Sequence, residues 1–150
     1  HVFAAAPGIT SDQLEERVRH RMQRKDLLTK EDPPTIFSLI DEMALHRPRG
    51  GPAVMREQLA HLHEIAHHSK VKIQIVPFET EAPATDPAFV IAEHQGVPFG
   101  GYVESIPDGR TTSDRSVIGA LVARYDAIRV EAYPQSLSLK KIKEVLERWT

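Results

Sequence analysis

The run with the most chemical content is His63-Glu64-Ile65-Ala66-His67, the pattern H-E-x-x-H. On a helix it sets two imidazoles one turn apart on one face, and it places the glutamate as general base for a zinc-bound water. The surrounding apolar residues argue otherwise. Met55, Leu59, Leu62, Ile65 and Ala66 mark the buried stripe. At about 100° per residue, His63 and His67 fall toward the polar side. A zinc enzyme also needs a third ligand, and only His94 or Glu104 offers one, each at the end of an expected strand. His61 and His68 flank the pair, so the segment is histidine-rich throughout. The reading taken is a solvated helix face with no metal and no cofactor. A small zinc-dependent hydrolase using His63, Glu64 and His67 is the alternative.

A second group of charged residues lies upstream: Asp41, Glu42, His46, Arg47 and Arg49. The elements around them give that group its meaning. Pro33-Pro34 precede a β-branched and aromatic run, Thr35 to Ile40, that reads as a strand. Ala44 to Gly51 reads as a loop, and Pro52 suits the first turn of a helix running to about His68. Val71, Ile73 and Ile75 then alternate with Lys72 and Gln74, a period of two, before Pro77 ends the strand. Strand, helix and strand make a βαβ unit with parallel strands. Acidic residues at a strand's carboxyl end, a basic loop and a helix start occupy the position where open α/β sheets hold ligands. The simpler explanation pairs Arg47 and Arg49 with Asp41 and Glu42. As neighbours on a strand, Asp41 and Glu42 point to opposite faces, so they form no acid/base dyad.

The rest of the chain reads as cover. Thr10 and Gln13 have capping-box spacing for a helix to about Leu28, carrying Leu14, Val18 and Met22 on one thin stripe. Arg17, Arg19, His20, Arg21, Arg24 and Lys25 load its other faces, and a solvated surface paired with Glu15, Glu16 and Asp26 accounts for them. Phe3 to Ala6 suggest the end of a helix from a longer parent. Ala88 to Glu93 and Val97 to Glu104 form an expected antiparallel hairpin, with Gly100-Gly101 marking a bulge or a close backbone approach. No lysine or arginine occurs from Gln74 to Gly109, so this half is acidic. Ser113 reads as the cap of a long helix bearing Val117, Leu121, Tyr125, Ile128 and Ala132, broken at Pro134. Ser138 reads as the cap of a last helix with Leu139, Ile142, Leu146 and Trp149 on one face and Lys140, Lys141 and Lys143 outside.

A chain of 150 residues with 41% hydrophobic and 27% charged residues fits one domain over 1–150. A net charge of −2 gives no general attraction to nucleic acid or membrane. No apolar run approaches the roughly 18 residues of a membrane span. The absence of cysteine excludes disulfides, cysteine-based zinc sites and thiol catalysis, and a cytoplasmic location is the simplest expectation. No nucleophile elbow, phosphate-binding glycine loop or dinucleotide fingerprint is present, so no catalytic residues are assigned. The fold expected is α+β: a mixed sheet of about four strands, one βαβ unit plus a hairpin, covered by helices.

Leu39-Ile40-Asp41-Glu42, Leu45, the run from Gly50 to Leu59 and Val71 to Phe78 follow one another in an order that resembles a known domain. Phe89-Val90-Ile91 and Tyr102-Val103-Glu104 match its later strands, and Leu14 to Leu28 its opening helix. The domain is the C-terminal one of actinobacterial XRE-type helix-turn-helix transcriptional regulators, the WhiJ-like group, a domain of unknown function. The resemblance implies a non-catalytic sensory or partner-binding module, with dimerisation as a further expectation. Its partner would be a small protein or a small-molecule effector. DNA would be bound only through an N-terminal helix-turn-helix that this chain lacks. The strand-end position and the motif match together single out Glu42, Arg47, Arg49, Phe78, Tyr102 and Glu104 for effector or partner contact.

Overall fold

The computed structural model describes residues 10–81, 87–105 and 109–149, leaving aside the side chains of Arg17, Arg24 and Lys25. The helix end read over Phe3 to Ala6, and Asp86 and Asp108 of the acidic stretch from Gln74 to Gly109, therefore lie outside the described residues. The α+β reading holds: the βαβ unit and the hairpin are both present. They form two sheets, one of two parallel strands and one of three antiparallel strands, in place of a single mixed one.

Helix α1 spans Ser11–Gln23 and passes into a 3-10 turn over Arg24–Thr29. Its start is a capping box: the Thr10 N–H donates to Gln13 Oε1 at 3.1 Å, and the Gln13 N–H donates to Thr10 Oγ1 at 3.3 Å. Strand β1 spans Ile36–Asp41, and a short helix α2 follows over Met43–His46. Helix α3, Pro52–Ile65, begins with Pro52 in its first turn, where a missing N–H costs nothing. Gly50 and Gly51 lead into it at φ 74° and 92°, a left-handed path that glycine follows without strain.

Strand β2, Val71–Val76, pairs in parallel with β1, setting Ile36 against Val71 and Asp41 against Val76. Its alternation works as read: Val71, Ile73 and Ile75 are buried. They join Leu45, Leu59, Ala66, Ile142 and Val145 in the main core. A two-stranded sheet leaves a second edge of β2 to satisfy. The Tyr133 N–H donates to the Ile75 carbonyl at 2.9 Å, and Gln74 Nε2 donates to the Tyr133 carbonyl at 2.9 Å. Ser138 Oγ accepts the Ile75 N–H at 2.9 Å and lies 3.1 Å from the Pro134 carbonyl. The elbow after α4 thus takes the place of a third strand.

Ser138 is accordingly not a helix cap. Helix α5 spans Gln135–Leu146, and Pro134 precedes it, so Ser138 sits inside the helix, fully buried. Losing its hydroxyl would orphan the Ile75 N–H, at a cost of about 1–3 kcal/mol.

Strands β3 (Phe89–His94) and β4 (Val97–Val103) form the expected hairpin. They turn at Gln95 and Gly96, at φ 50° and 78°, values that match the right-handed twist of a tight hairpin. The register slips where Ala92 faces Gly100 and Glu93 faces Pro98, so the bulge falls at Phe99. Gly101 supplies the close approach: a Cβ there would lie 2.9 Å from Leu121 Cδ1. A third strand, β5 (Arg110–Thr112), pairs with β4.

Helix α4 spans Arg115–Glu131 and lies on this sheet. Its cap is Asp114, one residue beyond Ser113: the Asp114 carboxylate accepts the Ser116 N–H at 2.8 Å and the Ser116 hydroxyl at 2.7 Å. The helix is also turned relative to the sequence reading. Ile118, Leu121 and Ile128 are buried, whereas Val117 is exposed.

Candidate functional site

The carboxyl ends of β1 and β2 carry the most developed polar arrangement. The Glu42 N–H donates to the Val76 carbonyl at 2.9 Å, extending the parallel ladder by one residue. Asp41 turns the chain here: its Oδ1 accepts the Met43 N–H at 2.8 Å. The stretch from Ala44, read as a loop, therefore opens inside a helical turn. That turn carries the Glu42 side chain inward until it is only 5% exposed.

A carboxylate so far from water needs a cation. Lys141 Nζ of α5 stands 3.5 Å from Glu42 Oε1, and His46 Nε2, one turn along α2, stands 3.9 Å away. Lys141 Nζ also lies 5.8 Å from the centre of the Tyr133 ring, within reach of its negative face. Beside this pair, Trp149 Nε1 donates to the Leu45 carbonyl at 3.1 Å. Two contacts from α5 and the residues after it thus hold α2 against the strand ends.

The cations read as partners of Glu42 are therefore replaced. Arg47 is the residue that ends α2, Arg49 lies in the loop before α3, and both are exposed. Lys141, read as an outside residue, takes the position instead. The signal was in the sequence: Lys141 falls three residues after Ser138 and four before Val145, on the stripe that is buried.

Phe78 follows Pro77 at the same sheet end, in a turn that Thr80 closes through Oγ1 to the Pro77 carbonyl at 2.9 Å, and it is 55% exposed. Glu42, Arg47, Arg49 and Phe78 thus share the parallel sheet's carboxyl edge and the segments leaving it. Tyr102 and Glu104 belong to the other sheet. Tyr102 is half-buried on β4, with its phenol against Gly109, and the Glu104 N–H donates to the Ala88 carbonyl at 2.8 Å.

The H-E-x-x-H run spans the end of α3. Ile65 is the last residue of the helix and Ala66 caps it, so His67 sits one residue beyond. His67 Nδ1 lies 2.8 Å from the His63 carbonyl, which makes it the protonated nitrogen, and the rings meet edge to face at 4.9 Å. His94 ends β3 on the other sheet, and Glu104 directly follows that sheet's β4. Among the described residues, no three histidines or acidic residues gather closely enough to hold one ion.

A family model described as "Domain of unknown function (DUF5753)" matches residues 1–144. The chain belongs to this family. No curated protein and no solved structure matches it. Within this DUF5753 domain the match takes in Glu42, His46 and Lys141 but stops short of Trp149. Open grooves of about 630 Å³ and 560 Å³ lie along α3. The first is lined by Pro52, Arg56 and Trp149 among others, the second by His61 and Glu64, and neither is lined by the strand-end residues. Among the described residues, no helix of the DUF5753 domain is long and apolar enough to cross a membrane.

Proposed function

We propose that this DUF5753 domain is the non-catalytic sensory and partner-binding module of a helix-turn-helix transcriptional regulator. Its partner is a small protein or a small-molecule effector, and it reaches DNA only through a separate DNA-binding domain. Membership in the family and the ordered resemblance to the C-terminal domains of such regulators support this reading.

The observation that carries it is the edge formed where β1 and β2 end. The ion pair of the buried Glu42 with the partly exposed Lys141 fixes the backbone there, and the residues leaving that edge are Arg47, Arg49 and the largely exposed ring of Phe78. Exposed guanidinium groups on a fixed scaffold suit an acidic partner, and an exposed aromatic ring supplies an apolar anchor.

Affinity capture from the source cell, with quantitative mass spectrometry of both proteins and small molecules, tests the reading. The bait is the whole domain, either native or carrying Arg47→Ala, Arg49→Ala and Phe78→Ala together. All three residues are exposed, so the variant keeps its core. The expected result is a species recovered by the native domain and depleted at least about tenfold by the variant. Identical recovery by the two baits would remove these residues from any partner site.

A further inference from the structure

Two apolar surfaces of this chain lack cover among the described residues, and they differ in charge. One is the stripe of α1 and the turn after it. Val18, Met22 and Leu27 are 45%, 51% and 39% exposed, and α1 packs chiefly on that following turn. Residues 10–30 hold six lysines and arginines against four acidic residues.

The other is the outer face of the three-stranded sheet. Gly101 faces α4, so Tyr102 and its partner Val90 face away from it. Ala92 pairs with Gly100 on that same outer face. Val90 is 59% exposed, and Val97 and Phe99 at the hairpin tip are 64% and 60% exposed. No lysine or arginine occurs from Gln74 to Gly109, while Glu104, the residue after β4, is exposed and lies on the outer side with Tyr102.

We propose that a second copy of the chain covers this sheet, laying the stripe of its α1 across Val90 and Tyr102, while its own sheet receives α1 of the first. The inner face of the same sheet already binds a helix in this manner, through Ile118 and Leu121 of α4. A sheet with helices on both faces completes the layering that apolar strands require. The charges favour the pairing: Arg19 and Arg21 of one copy approach Glu104 of the other, which lies two residues beyond Tyr102 on the outer side. Reciprocity closes the assembly at two copies, so each contact supplies half of the roughly 1,200 Å² that a specific interface needs. For Tyr102 and Glu104 this inference rests on the partner-binding reading and names the partner. It leaves Arg47, Arg49 and Phe78 untouched, so the capture experiment and the following one fail independently.

The chain contains no cysteine, so introduced thiols report without interference. Val18→Cys and Val90→Cys are made as separate variants, mixed in equimolar amounts and oxidised mildly. The expected product is a disulfide-linked pair of one Val18→Cys chain with one Val90→Cys chain, formed less at high salt. Linkage of Val18→Cys to itself, or of Val90→Cys to itself, would show helix on helix or sheet on sheet and overturn the proposal. So would closure within one chain when both substitutions are combined, or the absence of any link.

Sedimentation of the native chain, without thiols, gives the second arm. Glu104→Lys weakens dimerisation several-fold, and adding Arg19→Glu with Arg21→Glu restores it. A monomer at every concentration, or a dimer indifferent to both exchanges, would also overturn it.

Discussion

Glu42 loses most of its water when the chain turns from β1 into α2, and the carboxylate stays tolerable only because Lys141 comes to it from α5. Removing one partner from a fully buried pair costs about 3–5 kcal/mol. The Lys141 side chain is 32% exposed, so water screens part of the attraction, and His46 remains at 3.9 Å. Lys141→Met is therefore expected to destabilise the domain by only about 1–2 kcal/mol, read from urea unfolding. Glu42→Gln combined with Lys141→Met should recover part of that loss, because the stranded charge is gone. An unchanged midpoint for Lys141→Met would mean that the pair contributes nothing to holding α2 in place. At this scale the sequence was only partly readable. Glu42 stood out through its place after a strand, but its cation is 99 positions away, and no local pattern connects the two.

Elements that carry their own periodicity were legible: β1, α3, β2 and the hairpin emerge from alternation, prolines and glycines. Elements set by tertiary contact were not. Three residues, Arg110 to Thr112, are too few to show a period, and β5 exists because β4 offers an edge. Helix α2 is one turn long, and its start depends on the Asp41 carboxylate. The start of α4 was misplaced by one residue because Ser113 and Asp114 are both good caps. The actual cap carries a pH signature. The Ser116 hydroxyl, then the Ser116 and Val117 N–H groups, hold the Asp114 carboxyl below its ordinary value of 3.8. A lowered carboxyl contributes stability above that ordinary value and loses it as pH falls through the lowered one. Asp114→Asn keeps a side-chain cap but has no proton to gain. Thermal melts across the acid range should show the native chain ahead of Asp114→Asn at neutral pH, through its charge at the helix start, with the gap closing as the carboxyl protonates. A gap that is constant with pH would show that the ionised form adds nothing at that cap.

Across the whole molecule, burial divides between two assemblies that meet at the elbow after α4. The main core belongs to the βαβ unit and α5, whereas Ile118 and Leu121 serve the hairpin sheet. Strand β2 is bonded to β1 along one edge and, at Ile75, to the Tyr133–Ser138 segment on the other, so the Ile75 amide can exchange only when that whole assembly opens. The three-stranded sheet has α4 on one face and Val90, Val97 and Phe99 exposed, so less apolar contact opposes its opening. Native-state hydrogen exchange should therefore rank the two: the amide of Ile75 opens only with global unfolding, and those of Val90 and Val103 open about 1–3 kcal/mol below it. If both sheets exchange at one free energy, the elbow couples them into a single cooperative unit and the division is only geometric. Raising the protein concentration separates the remaining cases. Protection that grows in the hairpin sheet and α1, while β2 stays constant, is what a second copy seated on the outer face produces by mass action. Concentration-independent exchange with a clear gap would leave the sheet's outer face open to water, and its weaker protection would then be a property of the single chain.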